Sequence, residues 1–346
     1  MLPLPITIRE IADRDEGAWD SFVNCCPQAT FFHRVGWKRV IEHGLGHTAH
    51  YLMADRGGRT VGVLPLIHRR SWIFGDALIS TAFCVEGGPL SVDPEASGAL
   101  EQYAIDLADR LNVDFLEIRE GNVPAGPWRK GRPLYVSFRK ALSADIEKTM
   151  LAIPRKQRAM VRKGMKAGLI SRVDDDIDRL HHIYAVSVRN LGTPVFPKGY
   201  FRALKEVFGE DCDVVTVEWQ GRGISSVLNF YFRDTVLPYY GGGTEEARVL
   251  AANDFMYWEV MRRATERGYR IFDFGRSKLD SGSFAFKKHW GFEPSSLEYR
   301  FYLRRLSEPP ELNPANPKYR AMVAIWKRIP VRLSKLLGPV IARHLG

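Results

Sequence analysis

YYGGGTEEARVLAANDFMYWEVMRRATERGYRIFDFGRSKLDSGSFAFKKHWGF, residues 239–292, decides the fold. It reads as strand, glycine loop, long helix, strand, loop and a closing Phe-Lys-Lys-His-Trp-Gly-Phe turn. Ala252, Phe255, Met256, Val260 and Ala264 recur at helical spacing. Arg262, Arg263 and Arg267 fall in the last turns, where the helix dipole favours cations, and Gly268 suits the left-handed closing position. Asp273 and Arg276 are read as lying just past the end of a buried strand, where open sheets place ligand sites. Lys287 stands among Phe284, Phe286, Trp290 and Phe292, aromatic residues that could dry it and lower its pKa.

The same order occurs earlier in the chain. DVVTVEW (213–219) and ISSVLNFYF (224–232) flank the turn Gln220–Gly223, and the strand TVLPYY (235–240) leads into the quoted stretch. Upstream, YLMAD (51–55) and TVGVLPLI (60–67) flank Arg56–Arg59. Gly87-Gly88-Pro89, a helix over 94–111 and the strand VDFLEIR (113–119) follow. Gly88 precedes Glu117 by 29 residues, and Gly242 precedes Asp273 by 31, so a duplicated α/β domain is expected.

A chain of 346 residues is long for a single core, and 45% apolar with 26% charged residues is a globular composition. No run reaches 18 apolar residues, so no membrane-spanning helix is expected. The N-terminal run MLPLPITIREIADRDEGAW lacks a basic region followed by an apolar stretch and does not read as a secretory signal. Four cysteines without a C-x-x-C pair fit a reducing cytosol. The net charge of +10 is concentrated: beyond Glu311 there are seven Lys or Arg and no acid. That tail, with Met322, Ile325, Trp326, Leu333, Leu336 and Leu337 among its bases, either touches an anionic membrane or packs on the protein. Pro330 and Pro339 predict two short helical pieces rather than one.

Several residues could bear chemistry. PRKQRAMVRKGMKAGL (154–169) predicts a basic helix, with six Lys or Arg between 155 and 166 and no acid. Arg155, Arg158, Arg162 and Lys166 share a face, beside Lys163, and suit phosphate, although a solvated surface is the plain alternative. Only one of Lys287 and Lys288 can face a helical interior. Lys287 could hold a diphosphate or stabilise an oxyanion. Asp273 and Arg276 form either an ion pair or substrate contacts, and Gly241–Gly243 either cradle a phosphate or ease the exit from a strand. His43, His47 and His50 lack the spacing and partners of a metal site, and neither a nucleotide-binding glycine motif nor a G-x-S-x-G elbow occurs.

TFFHRVGWKRV (30–40), the basic helix and FDFGRSKLDSGSFAFKKHWGF (272–292) together resemble the FemAB family of aminoacyl (peptidyl) transferases. The ending NPKYRAMVAIWKRIPVRLSKLLGPVIARHLG resembles the FemAB-related subgroup found beside exosortase/PEP-CTERM exopolysaccharide systems. The resemblance spans nearly the whole chain and implies two tandem GNAT-like acyltransferase domains. It also implies amide formation on an amine-bearing precursor, with Phe286 and Lys287 at the transfer site. Lys287 stands four residues before Gly291, where the wider superfamily often places a general-acid Tyr. The superfamily's phosphate loop is absent from GGGTEEARVLAAN, and so is a long helical hairpin insertion, which leaves the donor open between aminoacyl-tRNA and acyl-CoA.

The expected molecule is therefore α/β (α+β), with GNAT-like domains at 1–148 and 149–306 and a proline-rich linker and basic tail at 307–346. The expected site has Lys287, Phe286 and Asp273 at the transfer centre, with Arg155, Arg158, Arg162, Lys163, Tyr240 and Arg276 binding substrate. No metal or resident cofactor is expected. The expected partners are a cell-envelope or polysaccharide precursor, lipid-linked or free, and aminoacyl-tRNA. The expected location is cytoplasmic, peripheral at the inner face of the membrane through 318–346. Two other readings are an acyl-CoA-dependent N-acyltransferase and a non-catalytic scaffold of polysaccharide assembly.

Overall fold

A computed structural model describes residues 4–72, 74–119, 126–310 and 317–345. Most of the proline-rich linker, residues 311–316, lies outside them. The chain divides into two compact units: Met1–Pro133 with Leu297–Leu312 and Arg343–Gly346, and Leu134–Ser296 with Asn313–Ala342.

The first unit holds β1 (Ile6–Glu10), β2 (Thr48–Arg56), β3 (Arg59–Ser71), β4 (Gly75–Ser80), β5 (Leu90–Ser91), β6 (Phe115–Ile118) and β7 (Trp128–Lys130). They form one sheet in the order β1-β2-β3-β4-β6-β15-β7, where β15 is Arg300–Leu303 and β5 pairs with β3. Helices α1 (Glu16–Cys25), α2 (Gly36–Leu45) and α3 (Pro94–Leu111) complete the unit. Asp93 caps α3 by accepting from the Ala96 amide at 2.9 Å, and Asn112 closes it in the left-handed conformation. Leu100, Ala104 and Ala108 of α3 pack on Leu52, Leu64 and Leu78 of the sheet.

The second unit holds β8 (Tyr135–Ala141), β9 (Ile170–Val173), β10 (Cys212–Trp219), β11 (Arg222–Phe232), β12 (Thr235–Gly243), β13 (Ile271–Lys278) and β14 (Pro294–Leu297). Their order is β14-β8-β13-β12-β11-β10-β9. Its helices are α4 (Ile146–Leu151), α5 (Arg155–Lys166), α6 (Ile177–Leu191), α7 (Lys198–Phe208), α8 (Glu245–Val249), α9 (Ala252–Glu266), α10 (Gly282–His289), α11 (Pro317–Trp326) and α12 (Val331–Ala342). Alternation along the strands sorts side chains to two faces. Val227, Tyr231 and Val236 pack against Phe255, Met256 and Val260 of α9. Phe230 and Tyr240 turn the other way, onto Phe208 and Phe201 of α7.

The duplication is present. In the first unit β4 and β6 pair in parallel across α3, and in the second β12 and β13 pair in parallel across α9. The boundary expected near residue 148 falls instead between Pro133 and Leu134. The reason is pairing: β8 runs antiparallel to β13 in the second sheet, while β15, expected in the second domain, lies between β6 and β7 in the first. The tail forms two helices that meet at Pro330, but Pro339 sits inside α12 and does not end it. Among the described residues no helix is long and apolar enough to cross a membrane.

Candidate active site

The site is built where β13 changes partners. Its parallel ladder with β12 covers only Thr235↔Ile271 and Val236↔Phe272, so the rest of each strand is released from the other. Against β8, the register of β13 shifts between Asp273 and Arg276, which marks a bulge. Gly275 sits in that bulge with φ +66°, a conformation that glycine adopts without penalty. Asp273, 3% exposed, holds the bulge from both sides. Its Oδ1 accepts from the Gly275 amide at 2.7 Å, and its Oδ2 accepts from Nε of Arg139 on β8 at 2.7 Å. The ion-pair partner of Asp273 is therefore the cross-strand Arg139 rather than the sequence neighbour Arg276. The Arg276 guanidinium lies 4.5 Å from the ring centre of Tyr135.

The bulge presents its carbonyls to Lys287. Ser281 caps α10 by accepting from the Phe284 amide, which fixes where the last turn of this short helix points. Lys287 Nζ donates to the carbonyls of Gly275 at 3.1 Å and Arg276 at 3.0 Å. The rings of Phe138 and Phe274 lie 5.5 and 5.9 Å from the same nitrogen. Only 8% of the residue is exposed. Burial pulls its pKa down from 10.5 to about 7, a shift that Asp273 opposes and Arg276 assists. Lys288 is exposed, as the helical reading of FAFKKHWGF requires. Near neutral pH the buried amine can therefore both hold and release a proton, as an acid–base group must.

Other predicted residues fall in different places. Phe286 is half-buried and packs near Tyr257, Phe274 and Trp290, lining the same aromatic wall. Tyr240 is buried on the opposite face of the sheet, where its hydroxyl meets that of Tyr200 at 2.9 Å and burial raises its pKa. This gives Tyr240 a packing role rather than direct substrate contact. Gly241–Gly243 also have a packing reason: a Cβ on Gly242 would come within 2.4 Å of the Ser187 Cβ, and one on Gly243 within 2.7 Å of the Ala247 Cβ. Space taken by α6 and α8 replaces the phosphate cradle there.

The basic helix exists as read. Arg155, Lys156, Arg162, Lys163 and Lys166 are exposed, and none forms an ion pair among the described residues. Arg158 differs, being half-buried and donating to the Leu151 carbonyl at 3.0 Å. Gln157, buried in the same helix, hydrogen-bonds Asp254, which also accepts from Trp290 Nε1 at 3.1 Å. Burial raises the Asp254 pKa against these two donors. Asp254 thus ties α5 to the end of α10. The sequence marked neither Asp254 nor Arg139; the available hint for Asp254 was an acid inside the apolar stripe of α9.

The acetyltransferase (GNAT) domain family matches residues 152–288, a stretch that runs from the basic helix to just past Lys287. Among solved structures, FemX superposes over 92% of this chain and 100% of its own, with TM-score 0.68 at 15% identity. A tandem GNAT protein from the clavulanic acid biosynthesis pathway superposes over 89% of this chain and 100% of its own, with TM-score 0.55 at 15% identity. A protein from Agrobacterium fabrum described as the C-terminal domain of a lysylphosphatidylglycerol synthetase covers 84% of this chain and 92% of its own, with TM-score 0.59 at 13% identity. No curated protein matches. The fold is of the GNAT type, with the matched domain in the second unit. The likeness to FemX and to a tandem GNAT protein is one of fold.

Proposed function

We propose that this chain transfers an acyl or aminoacyl group to the amine of a cell-envelope or exopolysaccharide precursor, forming an amide on that precursor with Lys287 at the transfer site. The carrying observation is the buried Lys287 amine, held by the Gly275 and Arg276 carbonyls with its pKa lowered to about 7. The acceptor nitrogen attacks the acyl carbonyl, a C–N bond forms and the carbonyl electron pair moves onto oxygen. Collapse breaks the bond to the donor oxygen or sulfur, and in net the proton lost by nitrogen leaves with that group. An ammonium has three N–H donors. Two are used by the bulge carbonyls, and the third either stabilises the oxyanion or passes its proton to the leaving atom, in which case the proton lost by the attacking nitrogen restores the ammonium. The exposed bases of α5 bind phosphates of aminoacyl-tRNA or of a lipid-linked diphosphate acceptor. The work is done at the inner face of the membrane, on the cytoplasmic side.

A second reading, acyl-CoA as donor, is favoured by the GNAT domain match over 152–288. Against it stand α6 and α8, packed on Gly242 and Gly243 where that superfamily's phosphate loop would open. The test supplies purified protein with labelled aminoacyl-tRNA or labelled acetyl-CoA and an envelope-precursor extract. Label reaching an amine-bearing acceptor from aminoacyl-tRNA supports the first reading. Transfer from acetyl-CoA alone, with thermal protection by CoA, replaces it with the second. No transfer from either donor contradicts both and leaves a scaffold.

A further inference from the structure

The tail helices are packed inside out. An amphipathic helix ordinarily buries its large apolar side chains and exposes its small or polar ones. In α12 the buried positions are Ser334, Gly338 and Ala342, spaced by four along one face. That face lies on α6 and on the segment after it, and a Cβ on Gly338 would come within 2.9 Å of the Val195 amide nitrogen. The opposite face carries Leu333, Leu336, Leu337 and Val340, at i, i+3, i+4 and i+7, exposed by 47%, 70%, 48% and 57%. In α11, Val323 approaches Gly192 and Trp326 Nε1 donates to the Thr193 carbonyl at 3.1 Å, while Met322 and Ile325 face solvent. Both helices are thus anchored by one side and present apolar surface on the other.

Charge selects the occupant. Arg320, Lys327, Arg328 and Arg332 are exposed and Lys335 is half-buried, with no acid in either helix. None of the five forms an ion pair among the described residues. A second copy would bring the same charges against them, whereas an anionic bilayer complements them and accepts the leucines as well. At roughly 1.5 Å per residue the twelve residues of α12 span about 18 Å, too short for a hydrocarbon core of about 30 Å, so the helix lies along the interface.

We propose that the outward face of α11 and α12 docks on an anionic lipid surface, with Leu333, Leu336, Leu337 and Val340 entering the headgroup–acyl boundary. Docking there would hold the second unit at a membrane whatever group it transfers, so the inference stands apart from the choice of donor.

The test sediments full-length protein with vesicles of phosphatidylcholine alone or with added phosphatidylglycerol. Pelleting is expected only with the anionic vesicles and should weaken as salt rises. The double variant Leu336→Ser/Leu337→Ser should keep its melting temperature, because both side chains are exposed. It should lose about tenfold or more in vesicle partitioning. Equal pelleting of variant and wild type, or none with either vesicle, overturns the proposal. A concentration-dependent dimer that the same variant dissolves, without vesicle binding, overturns it in favour of a second copy.

Discussion

Lys287 owes its properties to the bulge a dozen residues before it and to Phe138 on β8. Asp273 accepts from the Gly275 amide, the bulge turns two carbonyls toward α10, and two rings exclude water from the amine. A lysine with a folded pKa of about 7 against 10.5 leaves the unfolded chain holding the extra proton between those values, so stability rises with pH across that window. Replacing Lys287 with Met abolishes this dependence. The stability difference should shift toward wild type as pH rises from about 7 to about 9, by at most about 1.4 kcal/mol per pH unit. Denaturant melts at three pH values measure it; a constant difference would contradict a buried, deprotonating amine. Gly275→Ala should cost about 1–2 kcal/mol through its left-handed backbone alone, since nothing lies within 4 Å of the added methyl. Thermal melts check the cost, and a turnover loss beyond it would tie the bulge to the site. The importance of Lys287 was legible because four aromatic residues surround it within nine positions, FAFKKHWGF. Arg139 was not, because an ion pair across 134 residues leaves no local pattern.

Elements were legible wherever periodicity and punctuation agreed. Helix α3 spans the expected 94–111, and α9 ends just before Gly268, whose φ is +87°. The basic helix α5 was plain from composition, but composition could not tell which bases are free. Arg158 folds back on Leu151, so a surface test belongs to Arg155, Arg162 and Lys163. Reversing those three to Glu should leave the melting temperature unchanged and raise the Michaelis constant for a phosphate-bearing substrate about tenfold at low salt, with the difference shrinking as salt rises. Steady-state kinetics at two ionic strengths decide; unchanged affinity would make α5 a solvated face. The triple glycine was ambiguous in the sequence because close packing and phosphate binding call for the same residue. Only the neighbouring Ser187 and Ala247 distinguish them.

At the scale of the whole molecule, the tandem arrangement was readable from two similarly spaced strand–helix–strand units, but the exchange of strands was not. Strand β15 follows the last strand of the second sheet and completes the first sheet, because its Arg300–Leu303 backbone pairs with β6 and β7. A four-residue strand carries too little pattern to announce its partner. Ending the chain at residue 296 should therefore leave the first sheet open between β6 and β7 and yield aggregating protein, whereas ending it at residue 310 keeps β15. Solubility and circular dichroism of the two truncations test this, and a soluble, folded 296-residue product would contradict the assignment. Transfer is proposed to run at a buried amine, and the most direct measurement is the single-turnover transfer rate of Lys287→Ala beside its melting temperature. A native-like melt with transfer slowed by about 100-fold, as when an oxyanion donor worth roughly 3 kcal/mol is removed, is the predicted result. Transfer at the wild-type rate would contradict it.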